Sequence, residues 1–227
     1  MKINIFTISN NAYFIHLQGL LYSLKELCDI PYQVYIYDIG LTNYQIKTIK
    51  NQFNFLPIEI IKSKKKYTHQ EILEYKFKVD LWEIMKHTEG YILYHDAKNH
   101  QKYKLSKCLD LLKNYDILIT GSNCLEYLFS HIDCIKYMEC EEFNKTYQIQ
   151  SGLFFFNNIK KGNDLINDMV KYGNIKQCLY PDGSNKNMEG GKNTHRQDQS
   201  IFSLLVKKHK LNYKLCDFGT YHNTIHQ

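Results

Sequence analysis

Two spacings alternate along this chain. Residues 2–8 (KINIFTI) place apolar side chains mostly at every second position, the repeat of a buried strand. Leu17, Leu20, Leu21, Leu24 and Leu27 then recur at helical spacing, and Ser9 or Asn10 can cap the helix they define. Residues 32–38 (YQVYIYD) read as a second strand, and residues 56–61 (LPIEII) as a third, after Phe53 and Phe55. Between them, Thr42-Asn-Tyr-Gln45 has the spacing of a capping box and opens another helix. Leu73, Phe77, Leu81, Ile84 and Met85 mark one face of a long helix over 70–87, which leaves Lys76 and Lys78 on a solvated side. A strand over 90–95, a short helix over 105–112 and a strand over 116–120 (DILIT) follow. This regular alternation predicts an α/β fold: a parallel sheet with helices on both faces.

The pattern loosens after residue 120. Residues 121–147 hold short, polar segments before a hydrophobic strand over 152–157 (GLFFFN) and a helix over 164–172. Residues 181–195 are a Gly- and Asn-rich loop, long enough to be functional. Thr194-His-Arg-Gln197 reads as a second capping box, opening a helix with Ile201, Phe202, Leu204 and Leu205. Residues 211–217 (LNYKLCD) form a last strand, followed by a His-bearing tail. A length of 227 residues without repeats or linkers is expected to form a single domain.

Composition narrows the class rather than choosing it. The chain is 44% hydrophobic and 23% charged, an ordinary globular balance. Its net charge of +6 gathers partly in Lys62, Lys64, Lys65 and Lys66. No nucleic-acid-binding motif accompanies that run, so it reads as a solvated loop and no nucleic-acid partner is expected. The seven cysteines are odd in number and lack zinc-knuckle spacing, as suits reduced thiols in a cytoplasmic protein. Residues 1–9 carry no leader pattern, and no apolar run reaches about 18 residues, so no transmembrane segment is expected.

Open α/β sheets bind ligands beyond the carboxyl ends of their strands. Those ends carry Thr7, Ser9 and Asn10; Asp38; Asp96, Ala97, Lys98 and Asn99; and Gly121, Ser122 and Asn123. The first turn, SNNAYF, has no glycine, so neither a dinucleotide fingerprint nor a P-loop is present. Phosphates would need lysines or a metal instead, and Lys76 and Lys78 are the candidates before the Asp96 strand. Asp198 and Gln199 sit in the first turn of a helix, where dipole complementation is the plain role and contact with a bound ligand the functional one. Asp198 could then act as general base and Arg196 hold a phosphate or hydroxyl. Small polar groups at Gln150, Ser151 and Gly152 precede the Phe154-Phe-Phe strand. Tyr13, Tyr37 and Tyr94 read mostly as core, and His95 and His100 as structural residues.

These residues resemble the GT-A fold of nucleotide-sugar glycosyltransferases, including small family-8-like and poorly characterised sugar transferases. YDIGLTNYQIKTI is similar to that fold's strand-turn-helix, and HRQDQSIFSLLVKKHKL to its late Arg-x-Asp-Gln segment. Asp96 stands where these enzymes keep Asp-x-Asp, but Lys98 replaces the second acid. The resemblance implies a GT-A-like, Rossmann-type, mostly parallel central sheet, with residues 1–120 as the nucleotide-binding half and 121–227 as an irregular sugar and acceptor half. It also implies transfer of a sugar, most plausibly from UDP, to a hydroxyl of a glycan, protein or lipid. Donor contacts would come from Thr7, Ser9, Asn10, Asp38, Lys76, Lys78, Asp96, Ala97, Lys98, Gln150, Ser151, Gly152 and Arg196. Asp198 and Gln199 would face the reacting sugar. The expected metal is Mn²⁺ or Mg²⁺ on Asp96 and His222, the latter resembling a late histidine ligand of such enzymes. The Lys98 departure leaves open a metal-independent site or an inactive relative. The rival function is a non-catalytic sugar- or nucleotide-binding module on the same fold. A nucleotidyltransferase would want a Gly-rich first turn, which this chain lacks.

Overall fold

The structure, a computed structural model, describes residues 2–159, 161–182, 195–216 and 219–221. The first half alternates as β1 (Ile3–Ser9), α1 (Phe14–Leu27), β2 (Tyr32–Asp38), α2 (Asn43–Gln52), β3 (Ile58–Lys62), α3 (His69–Leu73), α4 (Lys76–Lys86) and β4 (Tyr91–Asp96). A short strand, β5 (Asn99–Gln101), and α5 (Leu105–Leu111) lead to β6 (Ile117–Leu125). Then come α6 (Glu126–Phe129), α7 (Ile132–Tyr137), β7 (Tyr147–Asn157), α8 (Lys161–Gly173) and α9 (Lys176–Leu179). The last elements are α10 (Gln197–Lys208), β8 (Tyr213–Leu215) and β9 (Gly219–Tyr221).

Seven strands make one sheet in the order β3-β2-β1-β4-β7-β6-β8. All pairings are parallel except those of β7, which runs antiparallel to β4 and β6. The chain winds outward from β1 through β2 to β3, then returns to lay β4 on the other side of β1. The strand order therefore reverses between β1 and β4, the place where open α/β sheets form a crevice at their carboxyl edge.

Strand alternation decides what faces that crevice. Ile3, Ile5, Leu93, Leu153 and Phe155 pack toward α1, α2 and α5. Phe6, Ile8, Ile92, Tyr94, Phe154 and Phe156 pack toward α4, α8 and α10. Continuing the two-residue period along β4 puts Asp96 on the α4 and α10 side. His95 falls on the opposite side, buried, with its Nε2 2.8 Å from Gln101 Oε1. Burial lowers its pKa to about 4, so it is a neutral core histidine.

Three local expectations are corrected. The helix expected over 70–87 is two helices, broken where Tyr75 takes φ +58° and ψ +25°. A left-handed non-glycine residue costs on the order of 1–3 kcal/mol, so the surroundings must hold it. The break re-registers the second piece: Lys78, Leu81, Trp82 and Met85 are its buried stripe, and Lys78 is not solvated. Second, Gln150–Gly152 do not precede a strand but lie inside β7, which begins at Tyr147. Third, α10 starts at Gln197 with Arg196 at the cap position and no side-chain cap bond. Thr194, the expected cap, lies outside the described residues. The other capping box is formed: Thr42 Oγ1 accepts from Gln45 N, and Thr42 N donates to Gln45 Oε1. Asn10 does cap, but it caps a short 3₁₀ turn, Asn11–Tyr13, that precedes α1.

Candidate active site

A cleft of about 320 Å³ opens at the reversal point, lined by Ser9, Asn10 and Tyr13 after β1, by Asp96, Ala97 and Lys98 after β4, and by Leu73, Tyr75, Phe77 and Lys78 from the broken helix. Its floor is a three-charge cluster. Lys78 Nζ lies 3.0 Å from Asp96 Oδ1 and 2.8 Å from Asp198 Oδ2. Tyr94 donates to Asp96 Oδ1 at 2.5 Å, and Ser151 Oγ donates to Asp198 Oδ2 at 2.6 Å. Three separated segments, α4, β4 and α10, thus meet at one ammonium, and β7 joins them through Ser151.

Lys78 is 5% exposed. Burial is the largest single influence on it and opposes the charge; the nearby Asp198 and Asp96 carboxylates outweigh that, and the pKa is held well above the usual lysine value. Lys78 is therefore a fixed cation. Tyr94 is pushed well above the ordinary phenol range, first by burial and then by the Asp96 charge, so its hydroxyl remains a donor. Gly152 is required by close approach: a Cβ there would sit 2.8 Å from Asp96 Oδ2 and 3.0 Å from Asn99 Nδ2. Asn99 Nδ2 in turn donates to Gly152 O at 2.6 Å, which fastens the turn after Asp96 to β7.

Other expected site residues are placed elsewhere or otherwise engaged. Thr7 is fully buried on the α1 side of β1, in register with His95. Asp38 accepts from Gly40 N at 2.9 Å and Leu41 N at 2.7 Å, as a turn residue does. Lys76 pairs with Glu74 at 3.0 Å and lines a different cleft, shared with Lys65 and Asp80. Gln150 accepts from Thr120 Oγ1 at 3.4 Å. The Arg196 guanidinium lies 4.3 Å from the centre of the Phe129 ring. Gln199 Nε2 donates to Gln148 Oε1 at 2.6 Å, so Asp198 and Gln199 serve two different networks. Ser9, Asn10, Lys78, Asp96, Ala97 and Lys98 are the expected donor residues that line the cleft, and Ser151, Gly152 and Asp198 buttress it. Tyr13, expected in the core, is 42% exposed at the cleft, 5.1 Å from Lys98 Nζ. Tyr37 and Tyr94 are buried as expected.

The expected divalent ion would find Asp96 in the cleft, where Lys78 and Tyr94 already engage it. Among the described residues no group of three His, Cys, Asp or Glu side chains converges. Both carboxylates near the cleft already share the Lys78 ammonium, and the position of a second acid ligand carries Lys98. His222 lies outside the described residues.

A second buried network stands behind the first. Glu126 is fully buried and accepts from Ser130 Oγ at 2.6 Å and Ser203 Oγ at 2.7 Å, with Lys207 as its ion partner. Gln148 Nε2 reaches the same carboxylate at 3.4 Å. This network ties α6 and β7 to α10, the helix that carries Asp198.

No family model matches this chain, and no curated protein matches its sequence. Solved structures do match its shape. The bifunctional glycosyltransferase WbbM superposes with a TM-score of 0.63 at 9% identity, over 95% of this chain and 38% of that one. An active-site mutant of LgtC gives 0.59 at 13% identity, over 89% of this chain and 69% of that one. Mouse xyloside xylosyltransferase 1 gives 0.55 at 12% identity, over 96% of this chain and 86% of that one. At such identities the likeness speaks for architecture, and the architecture of this chain is the GT-A fold of glycosyltransferases.

Proposed function

We propose that this chain is a glycosyltransferase that moves a sugar from a nucleoside diphosphate, with uridine as the base, to a hydroxyl of a glycan, protein or lipid acceptor. The observation that carries the reading is the Lys78 ammonium held between Asp96 and Asp198 on the floor of the cleft at the sheet's reversal point. The glycosyltransferases that share the fold support it.

In the reaction the bond between the anomeric carbon and the diphosphate oxygen breaks, and the acceptor oxygen takes its place. Charge grows on the leaving diphosphate, and fixed cations in a partly dry cleft stabilise it more than water would. Lys98, at the cleft wall, is assigned to the diphosphate. Lys78 fixes Asp96, the cleft carboxylate that accepts hydrogen bonds from sugar hydroxyls, and is itself held by the buried Asp198. Asp198, buried with an ammonium and a hydroxyl already on one oxygen, anchors Lys78 from behind the cleft. Residues 1–120 supply the nucleotide side and 121–227 the sugar side.

A metal-assisted variant has one observation in its favour. β5 pairs with β9, setting Tyr221 opposite Asn99, so the tail is drawn to the Asp96 turn. In that variant Asp96 and His222 would hold Mn²⁺ or Mg²⁺, which would neutralise the diphosphate. The alternative from another class is a module that binds the nucleotide sugar without transfer. A hydrolysis and transfer screen over UDP-sugars, each with EDTA and with Mn²⁺, decides. Release of UDP that stops in Asp96→Ala supports the transferase. Tight donor binding without any release assigns the chain to the binding module.

A further inference from the structure

Tyr75 is the one cleft residue whose backbone works against its own identity. The segment Lys76–Lys86 is helical, and His69–Leu73 before it is helical too, so the cheapest path for residues 74 and 75 is to continue the helix. Instead Tyr75 stands left-handed at φ +58°. Glycine or asparagine adopts that conformation far more easily than tyrosine. The ring is only partly packed: it is 37% exposed, 5.6 Å from the Phe77 ring at an interplanar angle of 32°. The same ring centre lies 5.4 Å from Lys78 Nζ, the ammonium that bonds Asp96 and Asp198. Tyr75 therefore covers the acid end of the cleft, whereas Tyr13 and Lys98 form the other wall.

We propose that Tyr75 is a sugar-contacting residue: its ring face packs on the apolar C–H face of the transferred sugar, over a hydroxyl that donates to Asp96. The inference rests on the donor reading above and deepens it. A sugar ring has one hydroxyl-bearing edge and two faces of C–H groups. The Asp96 carboxylate below and an aromatic face above match both. Burial raises the Tyr75 pKa, and the phenol stays protonated as a further donor to a sugar oxygen. The strained conformation is then explained by what the side chain touches in the complex.

The test compares nucleotide with nucleotide sugar. UDP, UDP-glucose, UDP-galactose and UDP-N-acetylglucosamine are titrated calorimetrically into the wild type, Tyr75→Gly and Tyr75→Phe, and each variant's melting temperature is measured. The wild type is expected to bind at least one UDP-sugar more tightly than UDP. Tyr75→Gly is expected to bind UDP as the wild type does and to lose about five- to tenfold in affinity for that UDP-sugar. Its melting temperature is expected to stay level or rise, because glycine relieves the backbone. Tyr75→Phe keeps the ring and most of the sugar increment. Three results overturn the inference while leaving the donor reading intact: a wild type with no sugar increment, a Tyr75→Gly protein that retains it, or one that melts lower and loses UDP and UDP-sugar equally. A wild type that binds none of the four ligands overturns the donor reading, and this inference with it.

Discussion

At the scale of single residues, the account turns on one lysine. Lys78 neutralises two carboxylates, Asp198 buried and Asp96 at the cleft surface, so its removal leaves like charges near each other at the edge of the core. Lys78→Ala should destabilise the fold by about 3–5 kcal/mol, the usual effect of breaking a buried ion pair. Denaturant unfolding would show it, and the double variant Lys78→Ala with Asp198→Asn should recover part of the loss. Gly152→Ala makes a contrasting prediction. Its Cβ would displace the Asp96 carboxylate from 2.8 Å, so donor turnover should fall at least tenfold in a steady-state assay while the melting temperature moves little. The sequence showed Asp96 as an acid at a strand end, but not that Lys78 is the cation it meets. Lys78 was legible too, in hindsight of spacing. Positions 78, 81, 82 and 85 form an i, i+3, i+4, i+7 stripe that Lys78 heads. A charged residue at the head of an apolar stripe reads as solvated unless its counter-ions are known, and those arrive from residues 96 and 198, far along the chain.

At the scale of elements, two devices position the site, and each can be tested apart from it. The Thr42 capping box satisfies two backbone groups at the start of α2, and neither Thr42 nor Gln45 lines the cleft. Thr42→Ala should cost about 1 kcal/mol in thermal or denaturant unfolding and leave donor turnover unchanged. The Glu126 network reaches the site through α10. Glu126→Ala strands the Lys207 ammonium and two serine hydroxyls, so it should lower stability by about 3–5 kcal/mol. Element legibility followed side-chain repeat. Strands β1, β2 and β4, with both faces buried, and α1, with its leucine stripe, stood close to where the pattern put them. The break at Tyr75 did not, because no glycine or proline marks it, and tertiary contacts override local preference there. The start of β7 was missed because Gln148, Gln150 and Ser151 are polar; Gln148 and Ser151 point into buried networks that sequence spacing alone does not reveal.

At the scale of the whole molecule, the fold class was readable because strand and helix alternate, and the antiparallel β7 was not, because crossover length does not fix strand direction in an irregular half. The same architecture makes a prediction about acid. Burial lowers both His95 and His195 to about 4 from an ordinary value of 6.5. Between those values the unfolded chain binds protons that the folded chain does not, so stability rises with pH. The folded state should therefore hold its full share of this stability above pH 6.5 and lose it as pH falls toward 4, at up to about 3 kcal/mol for each histidine. Urea midpoints measured from pH 8 to pH 4 would trace that fall. A flat profile would place charged histidines inside the core. Among the described residues no helix is long and apolar enough to cross a membrane. All seven cysteines are free thiols, and burial raises Cys28 and Cys140 to about 12, which makes them poor nucleophiles.

The central claim is that a nucleoside diphosphate lodges where β1 and β4 part, on cations the chain itself supplies. Calorimetric titration of UDP into the wild type, Asp96→Ala and Lys98→Ala, once in EDTA and once in Mn²⁺, tests it most directly. The account expects the wild type to bind UDP in EDTA, Lys98→Ala to bind it at least about tenfold more weakly, and Asp96→Ala to bind it no more weakly in EDTA, since that carboxylate meets the sugar and not the diphosphate. UDP binding that appears only with Mn²⁺ would return the cation to a metal. No UDP binding in either condition, or a Lys98→Ala protein that binds as the wild type does, would contradict the account.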